Sequence, residues 1–238
     1  MSEAEPIVFV VDDDESVRES LELLIESAGW RAQTFASAQA FLARPVALAP
    51  SCLILDLVLP DLNGCDLLGL LADKSDLPVI FISGHGDVHT TVRAMKGGAV
   101  DFFIKPVNCD ALLNTIRNAL DRSRALLDQA ADERALQENY ASLSSREREV
   151  MVLVTAGFLN KQVGTALGIS EITVKAHRGK LMRKMNADSF AALVRMADKL
   201  RLTPAGSQWR PANGGPLRVA RPPDSCRADS CATTRAGI

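Results

Sequence analysis

Five polar residues of three chemical types stand directly behind short apolar runs in the first half of the chain. Asp12 and Asp13 follow IVFVV, Asp56 follows CLIL, Ser83 follows VIFI and Lys105 follows FFI. Three carboxylates brought to one place repel one another, and their pKa values rise unless a cation compensates. A hard divalent ion is implied. Mg2+ suits the set because it takes carboxylate, carbonyl and water oxygens while leaving positions open for a phosphoryl group. A hydroxyl and an ammonium opposite would take the remaining phosphoryl oxygens. That is the division of labour in phosphoryl transfer, where catalysis is mostly positioning and charge neutralisation. Each residue by itself reads more simply as a turn-forming acid or a surface lysine. The joint pattern of VVDDD, LILDLVLPDLNG, FISG and FFIKP, in that order and spacing, is what accident rarely produces.

The elements that must gather these residues are strands covered on both faces, since Ile7 to Val11, Cys52 to Leu55, Val79 to Ile82 and Phe102 to Ile104 are continuous apolar runs. Trp30 to Phe35 alternates and reads as an edge strand. Between the strands, helical periodicity predicts helices at about residues 15–28, 37–43, 64–72, 87–97 and 109–120, the first ended by Gly29 as a C-cap. Strict alternation of strand and helix implies a parallel sheet with helices on both faces. In such a sheet the loops at the C-terminal strand ends form the binding crevice, and all five residues fall there.

The second half has a different chemistry. Residues 1–120 carry 17 acidic and 8 basic side chains, whereas residues 143–202 carry 11 basic and 5 acidic ones. A basic module is a candidate for nucleic acid, because neutralising phosphates with Lys and Arg supplies most non-specific affinity. Ser144 and Glu147 form a Ser-x-x-Glu capping box ahead of a helix stopped by Gly157. Asn160 can cap a short helix ending near Gly168, and Ser170 can cap the next. Two short helices around a tight Leu-Gly-Ile-Ser turn have helix-turn-helix spacing. On the second of them Val174, Leu181 and Met185 share a face and should pack inward, while Ala176, Gly179 and Arg183 point away, flanked by Lys175 and Lys180. Gly179 costs about 1 kcal/mol of helix propensity, which close approach to a groove explains better than helix design does. A solvated basic face of a small bundle is the plainer alternative.

VVDDD, LILDLVLPDLNG, FISG and FFIKP resemble the receiver domains of response regulators over roughly residues 5–122. LSSREREV, GFLNKQV and ISEITVKAHRGKLMRKM resemble the LuxR-type helix-turn-helix over roughly residues 143–202, and together the two halves are similar to the FixJ-like group. The resemblance implies a doubly wound five-stranded sheet of order 2-1-3-4-5 and a four-helix DNA-binding domain. It makes Asp56 the phosphoacceptor, Ser83 the switch hydroxyl, Lys105 the phosphate-sensing lysine and Phe102 the switch aromatic. Asp12 and Asp13, with Asp56 and the backbone carbonyl of Val58, would hold Mg2+. Asp14 leaves open a one-residue shift of that acidic pair to Asp13 and Asp14. The Lys105–Pro106 bond would be cis. Lys175, Ala176 and Gly179 lie at groove-facing positions and Lys161 near the DNA backbone, with Thr173, Lys180 and Arg183 in the same DNA-binding set. The implied partners are a cognate sensor histidine kinase, promoter DNA, RNA polymerase and, on phosphorylation, a second copy of the chain, with activation of transcription as the outcome and no enzymatic turnover.

Other classes are disfavoured. No run of about 18 uncharged apolar residues is present and the acidic N-terminus lacks a leader's apolar core, so a cytoplasmic protein without membrane contact is expected. The five cysteines make no metal spacing with the three histidines and are expected to be reduced, although Cys226 and Cys231 are close enough for a redox clip. Residues 123–142, free of Gly and Pro, read as a helical linker, and residues 203–238, rich in Pro, Gly, Ala, Ser and Arg, as a disordered tail. A haloacid-dehalogenase-like phosphatase would use Asp12 and Asp14, but it leaves Asp56 and the basic module idle. A lipid-signal quorum sensor would need an apolar ligand domain that is not evident.

Overall fold

The computed structural model describes residues 5–45, 49–72, 77–84 and 88–202. The expected tail at 203–238, with Cys226 and Cys231, lies outside the described residues. Packing divides the chain between Asp132 and Glu133 into two units.

The N-terminal unit is a parallel sheet of β1 (Ile7–Val11), β2 (Arg31–Phe35), β3 (Ser51–Asp56), β4 (Val79–Ser83) and β5 (Asp101–Ile104), in the expected order β2-β1-β3-β4-β5. The central strands are apolar at consecutive positions because each face has its own helical cover. Phe9, Val11, Leu53, Leu55, Val79 and Phe81 pack toward α2 (Ala38–Leu42), α3 (Gly64–Ala72) and α4 (Val88–Lys96). Val8, Val10, Cys52, Ile54, Ile80 and Ile82 pack toward α1 (Glu15–Ser27) and α5 (Cys109–Ala141). Each such side chain contributes about 1.5–3 kcal/mol by leaving water. Val11 pairs with Leu55, Asp56 with Ile82 and Ser83 with Ile104, so the C-terminal ends of β1, β3, β4 and β5 come to one edge.

Local signals set the helix ends. Asp14 caps α1 by accepting from the Ser16 amide, and Gly29 follows its C-terminus with φ +82°, the left-handed geometry that glycine adopts without strain. Gly64 opens α3 under tight constraint: a Cβ there would lie 2.7 Å from the Asp56 carbonyl oxygen and 2.9 Å from the Phe81 ring.

The expected helix at 109–120 runs on without a break to Ala141, so residues 123–141 continue the preceding helix. Its two ends serve different cores. Ser123 is buried, and its hydroxyl accepts from the Ser51 amide at 2.9 Å, whereas Leu136 and Tyr140 pack against the C-terminal core.

The C-terminal unit adds α6 (Ser145–Thr155), α7 (Asn160–Leu167), α8 (Glu171–Lys184) and α9 (Phe190–Lys199) around Val150, Leu153, Val163, Val174, Leu181, Met185 and Leu193. The Ser144–Glu147 capping box and the Ser170 cap form as expected. Asn160 does not cap α7; Leu159 holds that position, and Gln162 accepts from its amide at 2.8 Å. The Asn160 side-chain oxygen is instead claimed by the Arg178 guanidinium at 2.7 Å, which ties α7 to α8. Gly164 allows the tight turn between them, since a Cβ would meet the Ile169 carbonyl at 2.7 Å. Glu147 is buried and accepts at 2.8 Å from both Lys184 and the Ser144 amide, and mainly the lysine holds its pKa down at about 2.

Two outcomes are expected. Gly64→Ala should destabilise the N-terminal unit by about 1–3 kcal/mol through the backbone clash, measured by urea unfolding. Glu147→Gln should cost about 1–2 kcal/mol at pH 7, where the ionised pair is intact. A depressed carboxylate pKa stabilises above the ordinary value near 4.5 and loses that effect as pH falls toward 2. The gap between variant and parent should therefore narrow on acidification through that range, followed by circular dichroism.

Candidate functional site

The sheet edge gathers the candidate residues of the N-terminal unit. Asp12 continues from β1, Asp56 ends β3, Ser83 ends β4 and Lys105 follows β5. The Lys105 ammonium donates at 2.7 Å to Asp12 Oδ2 and at 2.7 Å to Asp56 Oδ2, so it bridges two carboxylates that are themselves nearly covered. The other Asp56 oxygen accepts from the Val58 amide at 3.0 Å. Asp12, Asp13 and Asp56 each offer an oxygen within 4.8 Å of the others. Asp13 is exposed, which leaves its carboxylate open to an incoming ion.

Electrostatics follow from this packing. Burial raises the Asp12 pKa above the usual carboxylate range although Lys105 and the Asp14 amide pull it down, and the Asp56 charge pushes the same way as burial. For Lys105 burial opposes the charge, but the hydrogen bonds to Asp12 and Asp56 outweigh it and raise the pKa. Among the described residues Lys105 is the one cation in salt-bridge contact with Asp12 and Asp56, and none pairs with Asp13, so the negative charge of the three carboxylates is under-compensated. A hard dication fits that donor set.

Asp14 is engaged elsewhere: its Oδ1 accepts from the Ser16 amide at 2.9 Å and the Ser16 hydroxyl at 2.7 Å, and those bonds lower its pKa. Arg18, which sequence reasoning missed, donates at 2.7 Å to the Asp12 carbonyl and at 2.9 Å to the Asp13 carbonyl and so fixes the acidic loop. An arginine one turn into a helix carries no pattern that announces such a contact. Asp61 was missed too; it accepts from the Ala38 and Gln39 amides at 3.2 and 2.9 Å and anchors the start of α2. Phe102 is half-buried with its ring centroid 6.2 Å from that of Phe81, and the Lys105–Pro106 bond is cis.

In the C-terminal unit α8 divides its basic residues. Lys184 holds Glu147 and the Ser142 carbonyl, and Arg178 holds Asn160 while lying over Phe190, so these two belong to the domain's own structure. Lys175, Ala176, Gly179, Lys180 and Arg183 are exposed along the outer face, and Thr173 is half-buried at the helix start, its amide donating to Ser170. Lys161 is exposed on α7. His177 is half-buried, with Nδ1 enclosed and unpartnered. A Cβ on Gly179 would meet nothing within 4 Å, so no packing inside the protein requires glycine there.

Comparison with known proteins accounts for both halves. The family model described as response regulator receiver domain matches residues 8–117, and that of bacterial regulatory proteins, luxR family, matches residues 141–197. The response regulator protein TmoT of Ectopseudomonas mendocina is 44% identical over 202 residues, covering 84% of this chain and 92% of its own. Nodulation protein W of Bradyrhizobium diazoefficiens is 46% identical over 195 residues, covering 82% and 86%. The chain belongs to the two-component response regulators. Among solved structures, that of the response regulator StyR is similar to this regulator with a TM-score of 0.76 and 42% identity, over 82% of this chain and all of that one.

As a two-component transcriptional regulator it takes a kinase and DNA as its partners, and receiver domains typically bind Mg2+ at the acidic pocket that Asp12, Asp13 and Asp56 form here. The phosphatase and quorum-sensor readings fall away with that membership. Among the described residues no helix is long and apolar enough to cross a membrane.

Gly179→Ala separates folding from recognition. Because the site is open and helical, the variant should be about 0.5–1 kcal/mol more stable in urea unfolding. The same variant should bind DNA more weakly in a gel-shift titration, if the outer face of α8 approaches a groove.

Proposed function

We propose that this regulator, working in the cytoplasm, accepts a phosphoryl group on Asp56 from a cognate sensor histidine kinase, dimerises, and activates transcription by presenting two α8 helices to promoter DNA. The observation that carries the reading is the Lys105 ammonium shared between Asp12 and Asp56 at the strand-end edge, beside buried Ser83.

A carboxylate oxygen of Asp56 attacks the phosphorus of the donor's phosphohistidine. The new O–P bond forms as the P–N bond breaks, and the electron pair leaves with the imidazole nitrogen, which takes up a proton. Asp12, Asp13, Asp56 and the Val58 carbonyl would hold Mg2+, which would supply charge neutralisation. Lys105 exchanges its contact with the Asp56 carboxylate for a phosphoryl oxygen, and the Ser83 hydroxyl takes another. Movement of Ser83 toward the phosphoryl group makes room for Phe102, now against Phe81, to turn inward.

The surface next to that pair is apolar and uncovered. Val88 is 78% exposed, Val92 and Met95 44% each, and Ile104 53%, all on α4 and β5. Contiguous exposed apolar surface marks an interaction site. It fits a symmetric face between two phosphorylated copies, which match a palindromic operator. Lys161, Lys175, Lys180 and Arg183 neutralise phosphates, Thr173 lies at the start of the reading helix, and Ala176 and Gly179 let α8 sit deep in the major groove. RNA polymerase is the partner that a DNA-bound dimer serves.

With a small phosphodonor and Mg2+, the chain should form a base-labile acyl phosphate and shift from monomer to dimer in sedimentation. Asp56→Asn should do neither. Val92→Asp should still be phosphorylated but stay monomeric and lose about tenfold or more in operator affinity, since the two half-sites no longer act together. A phosphorylated parent that stays monomeric while binding its operator tightly would falsify the dimer mechanism.

A further inference from the structure

Ile172, the second residue of α8, is 80% exposed and belongs to none of the three apolar cores. A lone exposed apolar side chain is ordinary. The place of this one is not. At 100° per residue, Ile172, Ala176, Gly179 and Arg183 fall within about 60° of one another, opposite buried Val174, Leu181 and Met185. Ile172 therefore extends the outer stripe of the recognition helix to its N-terminal end, the end whose residues reach base edges in a helix-turn-helix. Its neighbours have partners within the domain: Glu171 pairs with Lys175 at 3.2 Å, and the Thr173 hydroxyl with that of Ser170 at 2.8 Å.

We propose that Ile172 reads the 5-methyl group of a thymine in each operator half-site, an inference that rests on the reading of α8 as the groove helix. Ile172 has neither donor nor acceptor, so it cannot select the polar edges of adenine, guanine or cytosine. The thymine methyl is the apolar group that the major groove displays. Ala176 and Gly179, small and open, bring the helix axis close, and Ile172 projects beyond them from the same face. Lys175 and Lys180 flank this stripe and Arg183 continues it, with positive charge that suits DNA.

The test takes the phosphorylated full-length chain and selects its site from a random-sequence duplex library. Each thymine of that site is then replaced singly by deoxyuridine, which lacks the methyl group alone. The parent should lose about fourfold in affinity at one thymine per half-site, the value of one buried methyl, and little at the others. Ile172→Ala, which removes no buried contact, should bind the unmodified site more weakly by a similar factor and be indifferent to deoxyuridine at that thymine. If parent and variant respond alike to every exchange, or the parent to none, the inference is overturned while the groove reading stands. If the parent enriches no sequence at all, the groove reading fails and takes the inference with it.

Discussion

One ammonium group holds the N-terminal site together. Asp12 and Asp56 lie at the ends of adjacent strands, and the parallel register brings them to the same edge of the sheet. Two such charges with little water would resist folding, but the Lys105 Nζ between them, 2.7 Å from each, compensates the pair. The compensation is deliberately incomplete in a chemical sense, because Asp13 adds a third carboxylate with no cation of its own among the described residues. The folded domain thus retains an appetite for positive charge at the strand-end edge. Stability and chemistry draw on the same lysine.

Much of this was readable in the sequence because strands and helices differ in period. Apolar runs placed the strands, alternation placed the helices between them, and the residue after each run fell at the binding edge. What the sequence left open was decided by bonds too short-range to leave a pattern. The run of three aspartates gives no sign that Asp14 bonds through its side chain to Ser16. Asn160 is a good cap by type, yet Arg178 from the neighbouring helix takes its oxygen first. The second half of α5 reads as a helical linker from its composition, but it has no apolar stripe as clear as that of Leu112 and Ile116 to join it to the first half, and the structure makes the two one continuous helix.

The basic charge of the second half hid a similar division. Counting Lys and Arg treats all of α8 as one DNA-seeking surface. The structure assigns Lys184 to a buried glutamate and Arg178 to a neighbouring helix, and leaves Lys180 and Arg183 exposed, with Lys175 exposed beside its partner Glu171. Charge composition reports how many such groups exist; packing decides which are available.

The openness around Gly179 bears on how such a domain could diversify. The inner face of α8 is committed to Val174, Leu181 and Met185, each fully buried, so change there is paid in stability. The outer stripe has no such tie, and at Gly179 any added methyl projects into empty space. Descendants of one fold can therefore wander among operator sequences without repacking a core, while the receiver that commands them stays as it is.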